Sequence, residues 1–128
     1  MRTLLMIGEY APFREAMEFC LPEFGYDVLA AADVQAGCEI AAAFRVEIVL
    51  LDVDDPRRAG PAACRRIATA RNLEGVPIIM LSWPCTAEIV ERARSAGAAA
   101  LVSKPFLWPD LLATMDRLVS ARETMPAS

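Results

Sequence analysis

Five short apolar runs alternate with segments of helical period, and this alternation constrains the fold more than any other feature of the chain. The runs cover residues 3–7, 26–31, 46–51, 76–81 and 99–102. Strands that alternate with helices form a parallel sheet with right-handed crossovers. We therefore expect an α/β fold, a doubly wound five-stranded parallel sheet with five helices. Between the first two runs, helical spacing is present in Phe13, Ala16, Met17, Cys20 and Leu21.

The helical segments carry boundary signals of their own. Asp33 and Asp110 stand where the N-caps of the second and fifth helices are expected, since their short polar side chains can accept hydrogen bonds from first-turn N–H groups. Pro22 predicts the end or a kink of the first helix, and Gly97 predicts the end of the fourth. The third helix is expected to carry Cys64, Ile67, Ala68 and Arg71.

Length and composition limit the classes of function. A chain of 128 residues suits one domain, which we expect over residues 1–122 with a short C-terminal tail at 123–128. The chain has no apolar stretch of about 18 residues and no signal-peptide pattern, which predicts a cytoplasmic protein without membrane contact. A net charge of −4 without a basic cluster argues against binding to nucleic acid.

The cysteines predict neither a zinc site nor a disulfide framework. They are widely spaced, form no CxxC pair and have no histidine to accompany them. We expect the first three to serve as small apolar residues in or beside the core, whereas Cys85 is an exception because it follows the Ser82 loop. The four positions are Cys20, Cys38, Cys64 and Cys85.

Three of the apolar runs lead into polar side chains with complementary chemistry. Asp52 follows the third run, Ser82 the fourth, and Lys104 closely follows the fifth. Ligand sites of open α/β sheets lie at the carboxyl ends of the strands, so we expect these three groups to meet. A carboxylate can act as a nucleophile and form an aspartyl phosphate, whose oxygens a lysine and a hydroxyl can bind. Glu9, after the first run, is a second carboxylate available to Mg²⁺.

Each of these residues also has an ordinary structural interpretation. An aspartate after a strand commonly forms a turn, and a lysine before a proline commonly lies on the surface. Serines often end strands, and Glu9 alone is typical of a solvated loop. The register of Asp52 with Ser82 and Lys104 favours one shared site over three unrelated roles.

The spacing of these residues resembles the receiver domain of two-component response regulators, over roughly residues 3–119. Gly60 lies eight residues after Asp52, Ser82 thirty and Lys104 fifty-two. Ala96-Gly97-Ala98 precedes the fifth run, and Pro105-Phe106 follows Lys104.

The resemblance implies a flavodoxin-like strand order 2-1-3-4-5 and a role for each site residue. Asp52 would be the phosphoacceptor, Ser82 the switch hydroxyl and Lys104 the phosphoryl-sensing amine. Mg²⁺ would be held by Glu9, Asp52 and the backbone carbonyl of Asp54. The resemblance further implies a cis peptide bond before the proline that follows Lys104.

Three positions depart from the pattern of the family. Receivers usually carry two adjacent acids after the first strand, whereas here Gly8 takes the first place, so we expect weakened Mg²⁺ binding. Asp54 could compensate for the missing acid. Many receivers have an aromatic residue where this chain has Leu101, and a small residue where it has Trp83. These two changes predict an altered switch and altered access to the site.

The leading hypothesis is a stand-alone receiver, a signalling module rather than an enzyme. Asp52 would accept a phosphoryl group from a sensor histidine kinase or a phosphotransfer protein, and the change would alter contacts with an unknown downstream protein. The fourth helix, fifth strand and fifth helix would form the face that binds this partner or a second copy of the chain.

Two other functions remain open from the sequence. A receiver-like module with a decayed acidic site could bind a partner without phosphorylation, as Gly8 and Leu101 favour. Alternatively, Asp52-Val53-Asp54 matches the DxD motif of haloacid-dehalogenase-like phosphatases, in which the second acid is a general acid and base. That motif normally follows the first strand and needs a downstream acidic pair, for which only the separated Asp110 and Asp116 are available.

Overall fold

The computed structural model describes residues 1–55, 59–83 and 86–124, and it contains a parallel five-stranded sheet. The strand order is 2-1-3-4-5, which confirms the expected doubly wound fold. A single 3₁₀ turn, Leu21–Phe24, follows the first helix. The elements are β1 (Arg2–Ile7), α1 (Ala11–Cys20), β2 (Tyr26–Ala31), α2 (Val34–Ala43), β3 (Ile48–Val53), α3 (Gly60–Ala68), β4 (Ile78–Ser82), α4 (Ala87–Ser95), β5 (Ala100–Ser103) and α5 (Trp108–Glu123).

Two hydrophobic cores lie on opposite faces of the sheet, because successive strand residues point to opposite sides. In β1, Leu5 and Ile7 join the core that includes residues of α2, α3 and α4, whereas Leu4 and Met6 join the core under α1 and α5. The apolar residues of β3 and β4 are at most 7 % exposed. Burial on both faces explains why these two runs are almost uniformly apolar, and it makes the centre of the sheet a firm support for its C-terminal edge.

Two strands begin two residues after the start of the apolar runs that predict them. β3 begins at Ile48 and continues for one residue beyond Asp52, which the sequence places at the end of the strand. β4 begins at Ile78, because Pro77 has no N–H to donate to a neighbouring strand. Pro77 still accepts a hydrogen bond through its carbonyl, from the N–H of Val49 at 3.0 Å.

The helix boundaries confirm some of the sequence signals. The Asp33 carboxylate accepts a hydrogen bond from the N–H of Ala36 at 2.8 Å and caps α2. α1 ends at Cys20, directly before the 3₁₀ turn that contains Pro22. Gly97, at φ +114°, follows the last residues of α4 in the left-handed conformation that favours glycine.

Two helix predictions are wrong. Asp110 is not the N-cap of α5, because the helix begins at Trp108 after Leu107 and has Pro109 in its first turn. Proline suits that position, since the first-turn N–H groups have no partner within the helix. Arg71 lies beyond α3, which ends at Ala68. The chain turns there through a hydrogen bond from the N–H of residue 70 to the carbonyl of Ile67, at 3.1 Å.

The described cysteines are free thiols. Cys64 is buried, and burial raises the pKa of its thiol to about 11. Cys20 and Cys38 are half-buried, and Cys85 lies outside the described residues, as do residues 125–128 of the expected tail. Within the described part of the chain, no helix is both long enough and apolar enough to span a bilayer.

Candidate functional site

The three predicted site residues lie at the C-terminal edge of the sheet. Asp52 is the second-last residue of β3 and pairs in register with Leu81. Ser82 ends β4, between Val53 and Ser103 of the neighbouring strands, and Lys104 follows β5 directly. The structure therefore brings the carboxylate, hydroxyl and amine to one end of one sheet, as the sequence predicts.

Lys104 and Asp52 form a buried ion pair. The Lys104 Nζ donates to the Asp52 Oδ1 at 2.5 Å, and the two side chains are 9 % and 3 % exposed. Asp54 Oδ1 lies 4.0 Å from the same Nζ, but its side chain is 79 % exposed. Because water screens Asp54, Asp52 is the main counter-charge of the ammonium.

Burial raises the pKa of the Asp52 carboxyl above its ordinary value of 3.8. The hydrogen bond from Lys104 and the charge of Lys104 both lower the pKa, and the charge of Asp54 raises it further. Desolvation is the largest of these effects, so the folded protein disfavours negative charge on Asp52 even with the lysine in place. The carboxylate is correspondingly more basic than one in water.

The Ser82 hydroxyl forms a hydrogen bond with the backbone of the next residue. The residue is fully buried, and its Oγ donates to the backbone carbonyl of Trp83, the next residue, at 3.0 Å. The hydroxyl is thus at the predicted edge of the sheet but is engaged by its neighbour.

Two aromatic rings enclose the Lys104 ammonium, a contact that the sequence does not predict. The Nζ lies 5.3 Å from the ring centroid of Phe13 in α1 and 5.3 Å from that of Trp83. Both distances are within the range of cation–π attraction. No sequence motif links these positions, which meet only because the fold brings α1 beside the end of β5.

The predicted metal ligands line a cavity of about 460 Å³ beside the ion pair. Glu9, Asp52 and Asp54 all contribute to its wall, together with Gly8 and Asp55. Asp52 Oδ2 lies 3.5 Å from the point that a Cβ on Gly8 would occupy. Asp52 Oδ2, the carboxylate oxygen that does not bind Lys104, is therefore next to position 8, where receivers usually carry an acid.

Comparison with known proteins assigns the chain to a family. A model of the response regulator receiver domain matches residues 4–116. The chain belongs to this family. The transcriptional regulatory protein PdtaR of Mycobacterium tuberculosis is 36 % identical over 120 residues, which are 93 % of this chain and 57 % of that protein. CseB of Streptomyces coelicolor, also named a transcriptional regulatory protein, is 38 % identical over 103 residues, 80 % of this chain and 43 % of CseB.

Solved structures with the same fold include other receivers. The chemotaxis protein CheY4 of Vibrio cholerae is 25 % identical, with a TM-score of 0.82 over 92 % of this chain and 98 % of that one. The receiver domain of a Pseudomonas aeruginosa sensor histidine kinase, with a magnesium ion coordinated in its active-site cleft, is 26 % identical. Its TM-score is 0.78 over 93 % of this chain and 98 % of that one. This receiver chain spans about half the length of PdtaR and CseB.

Receiver domains are signalling modules that generally bind Mg²⁺, and the residues of this receiver fit that ion. Mg²⁺ is usually bound by one or two carboxylates together with waters and phosphate oxygens, and Asp52 and Glu9 supply two carboxylates to one cavity. Among the residues that the structure describes, no three acidic, histidine or cysteine side chains lie close enough together to form a complete metal cluster. The carboxylates of Asp52 and Glu9 thus suit a Mg²⁺ ion that keeps most of its coordinated water molecules.

Two further features of the receiver bear on the family resemblance. The peptide bond between Lys104 and Pro105 is cis, as the resemblance implies. Leu101 pairs in register with Met80 and packs, half-buried, against the core under α2, α3 and α4. The position at which many receivers carry a ring is thus filled here by an aliphatic side chain.

Proposed function

We propose that Asp52 accepts a phosphoryl group from a histidine kinase or a phosphotransfer protein, and that phosphorylation changes the contacts of this receiver with protein partners. The observation that carries the proposal is the 2.5 Å contact between the Lys104 Nζ and the Asp52 Oδ1. It holds a basic carboxylate and a cation together beside an acidic cavity. A nucleophile and a group that binds phosphoryl oxygens are thus preorganised before the donor arrives.

In the proposed reaction, an oxygen of the Asp52 carboxylate attacks the phosphorus of a phosphohistidine on the donor. A P–O bond forms as the P–N bond breaks, and the imidazole nitrogen keeps the electron pair and takes up a proton from solvent. The product is an aspartyl phosphate. Attack of water on its phosphorus breaks the new P–O bond, which yields inorganic phosphate and the free carboxylate again.

The roles of Lys104 and Ser82 follow from their positions. When an oxygen of Asp52 forms the new P–O bond, the carboxyl group no longer carries a negative charge. The negative charge then lies on the phosphoryl oxygens, which attract the Lys104 ammonium. Lys104 therefore transfers its hydrogen bond from Asp52 to a phosphoryl oxygen. The Ser82 hydroxyl turns from the Trp83 carbonyl and donates to another phosphoryl oxygen.

Magnesium binds this receiver more weakly than it binds receivers with two acids after β1. Glu9, Asp52 and the backbone carbonyl of Asp54 would hold the ion, which when bound neutralises charge between the carboxylate and the phosphoryl group. Gly8 removes one carboxylate from this set. Asp54 partly compensates, so Asp54→Asn should lower the affinity for Mg²⁺, and an unchanged affinity would contradict that role.

The output of the receiver is a change in protein contacts. β5 lies at one edge of the sheet, where an unpaired strand edge can take part in an interface. The face of α4, β5 and α5 is therefore the proposed contact surface for the downstream protein or for a second copy of the chain. The net charge of −4 supports a protein rather than a nucleic acid as the partner. The free thiols of the described cysteines are typical of proteins in the cytoplasm.

Intact-protein mass after exposure to phosphoramidate, with and without Mg²⁺, tests the phosphorylation. The expected result is one phosphoryl adduct that depends on Mg²⁺ and is lost in Asp52→Asn. A folded wild-type protein that shows no adduct with any donor, or an adduct that persists in Asp52→Asn, would contradict the proposal.

A constitutive binding module is the second candidate function. It is favoured by Gly8 and Leu101, which remove an acid and a ring that receivers commonly use. In that case Asp52→Asn would leave partner binding or self-association unchanged, and phosphoramidate treatment of the wild-type protein would have no effect on it either.

A further inference from the structure

Trp83 contacts both of the groups that the proposed function assigns to the phosphoryl oxygens. Its ring lies 5.3 Å from the Lys104 ammonium, and its carbonyl accepts the hydrogen bond of the Ser82 hydroxyl at 3.0 Å. Trp83 is also 53 % exposed. One residue thus joins the interior of the site to its outer surface.

The environment of Lys104 makes the ring contact strong. The ammonium is enclosed by Asp52 on one side and by the rings of Phe13 and Trp83, and its side chain is only 9 % exposed. An aromatic face attracts a cation more strongly when water is excluded, and the indole of tryptophan is the most effective of these faces. Trp83 therefore acts as a cover over the ammonium as well as a packing partner.

Both contacts of Trp83 belong to the unphosphorylated state. A serine hydroxyl has one O–H to donate, so Ser82 cannot bond a phosphoryl oxygen and the Trp83 carbonyl at once. The ammonium likewise leaves Asp52 Oδ1 when it binds a phosphoryl oxygen, and its distance to the ring changes. A single chemical event thus removes the two restraints that the described residues place on Trp83.

We propose that Trp83 is a positioning residue that couples the phosphoacceptor to the surface. In the resting protein its ring and its carbonyl hold Lys104 and Ser82, and phosphorylation of Asp52 releases the ring. This inference rests on the proposed function. It also fits the presence of Leu101 where many receivers carry an aromatic residue. In this receiver, the ring that responds to the switch hydroxyl belongs to Trp83, the residue after that hydroxyl.

The chain offers an unusually direct test, because Lys104 is its only lysine. Labelling with ¹³C,¹⁵N-lysine therefore gives a single set of side-chain NMR signals. Ring currents of Phe13 and Trp83 should move the signals of the ε-methylene protons upfield. Trp83→Leu should remove much of this displacement and Trp83→Phe should keep part of it.

Trp108→Phe is the matched control, since Trp108 packs on Phe24 and Phe106 rather than on Lys104. It should leave the Lys104 signals in place. Equal signals in Trp83→Leu and the wild-type protein would overturn the contact, and so would a displacement caused by Trp108→Phe alone.

Release of the ring is tested with beryllofluoride and Mg²⁺, a stable mimic of the phosphoryl group. Trp108→Phe leaves Trp83 as the only tryptophan, so its fluorescence reports on that residue alone. Binding of beryllofluoride, followed by ¹⁹F NMR, should shift the Trp83 emission to the red and move the Lys104 signals away from their ring-shifted positions. Asp52→Asn should abolish both responses.

The outcomes separate this inference from the proposed function. A phosphoryl adduct on Asp52 with unchanged Trp83 emission and unchanged Lys104 signals would overturn the coupling and leave the function intact. The absence of any adduct, by mass or by ¹⁹F NMR, would overturn both. Changes in Trp83 and Lys104 that accompany the adduct would support both.

Discussion

The ion pair between Lys104 and Asp52 dominates the energetics of single residues in this receiver. Both side chains are nearly inaccessible to solvent, so removal of the Lys104 ammonium leaves the buried Asp52 carboxylate without its main counter-charge. We expect Lys104→Met to lower the free energy of unfolding by about 3 kcal/mol, in the range found when a buried pair loses one partner. Urea unfolding at neutral pH measures the effect.

The double variant Lys104→Met with Asp52→Asn is the control for that prediction. It removes both charges and should recover most of the lost stability. If the single and double variants unfold at the same urea concentration, the pair does not contribute as described.

The raised pKa of Asp52 sets the sign of a pH dependence. A group whose pKa is higher in the folded state stabilises the fold in its protonated form. That contribution is complete below the ordinary value of 3.8 and is lost as the pH rises through the raised pKa. Asparagine does not ionise, so Asp52→Asn should be more stable than the wild-type protein at neutral pH.

Thermal unfolding of Asp52→Asn and the wild-type protein from about pH 3.5 to 7.5 tests this linkage. The advantage of the variant should be small in acid, grow above pH 3.8 and level off above the raised pKa. Lys104 keeps Asp54 and two aromatic rings as partners in the variant. A variant less stable than the wild-type protein at pH 7 would contradict the direction of the shift.

Gly8 offers a way to restore the acid that this receiver lacks. A Cβ at this position would lie 3.1 Å from the Asp52 Cβ, so Asp52 would have to yield by a few tenths of an ångström. Gly8→Asp should raise the affinity for Mg²⁺ by about 10-fold or more, because a carboxylate next to the site tunes a bound cation. Titration with Mg²⁺ in the Trp108→Phe background, followed by Trp83 fluorescence, gives the affinity.

Gly8→Ala separates the charge from the steric effect. It adds the same Cβ without a carboxylate and should give no gain in affinity. Equal changes in Gly8→Asp and Gly8→Ala would show that packing against Asp52, rather than charge, controls the cation.

The contacts of Trp83 and Phe13 with the Lys104 ammonium could not be predicted from the sequence. Asp52, Ser82 and Lys104 could be found because each lies a fixed distance along the chain from a strand end. The contact of two rings with one ammonium depends on the angle of α1 and on side-chain rotamers, which the sequence does not encode locally. The direction of the Ser82 hydroxyl is unpredictable for the same reason.

Among the elements, the connection from α4 to β5 depends on a glycine. Gly97 has φ +114°, and a Cβ there would lie 2.9 Å from the Ala68 Cβ of α3. Gly97→Ala therefore combines backbone strain with a clash between α3 and the connection. We expect a loss of about 2 to 4 kcal/mol in unfolding free energy, measured in urea.

Gly25→Ala provides the comparison for Gly97→Ala. Gly25 also has a positive φ, of +93°, but nothing lies within 4 Å of its added Cβ. Its replacement should cost only the backbone strain, about 1 kcal/mol. Equal losses for the two variants would mean that the contact with Ala68 is relieved without cost.

The elements themselves follow from the sequence better than their boundaries do. Each of the five runs became a strand because period and burial act together over several residues. Asp110 does not predict the start of α5 correctly, because Pro109 also suits a helix N-terminus and lies in the first turn of the helix. A helix N-cap depends on a single side chain. When two neighbouring residues both suit a helix N-terminus, the sequence pattern alone does not show which of them marks the start.

At the scale of the whole molecule, Arg2 joins the first strand to the last helix. Its guanidinium contacts Asp116 at 2.8 Å and Glu123 at 3.4 Å, but both acids are more than half exposed. Exposed ion pairs contribute little, so Arg2→Ala should cost about 0.5 kcal/mol, and less at high salt. Thermal unfolding at low and high ionic strength measures both values.

Arg117→Ala is the matched change of charge on α5, because Arg117 has no ion pair among the described residues. It should change the stability less than Arg2→Ala does. Equal effects would show that net charge, rather than the link between the two ends of the chain, determines the loss.

The burial of Lys104 protects its amine from reagents in solution. Lys104 is the only lysine in the sequence, and it is buried. Brief treatment of the folded protein with an amine-acylating reagent would therefore leave this side chain unmodified. Slow acylation of Lys104 on longer treatment would time the spontaneous opening of the site, since only an open molecule presents that amine to solvent.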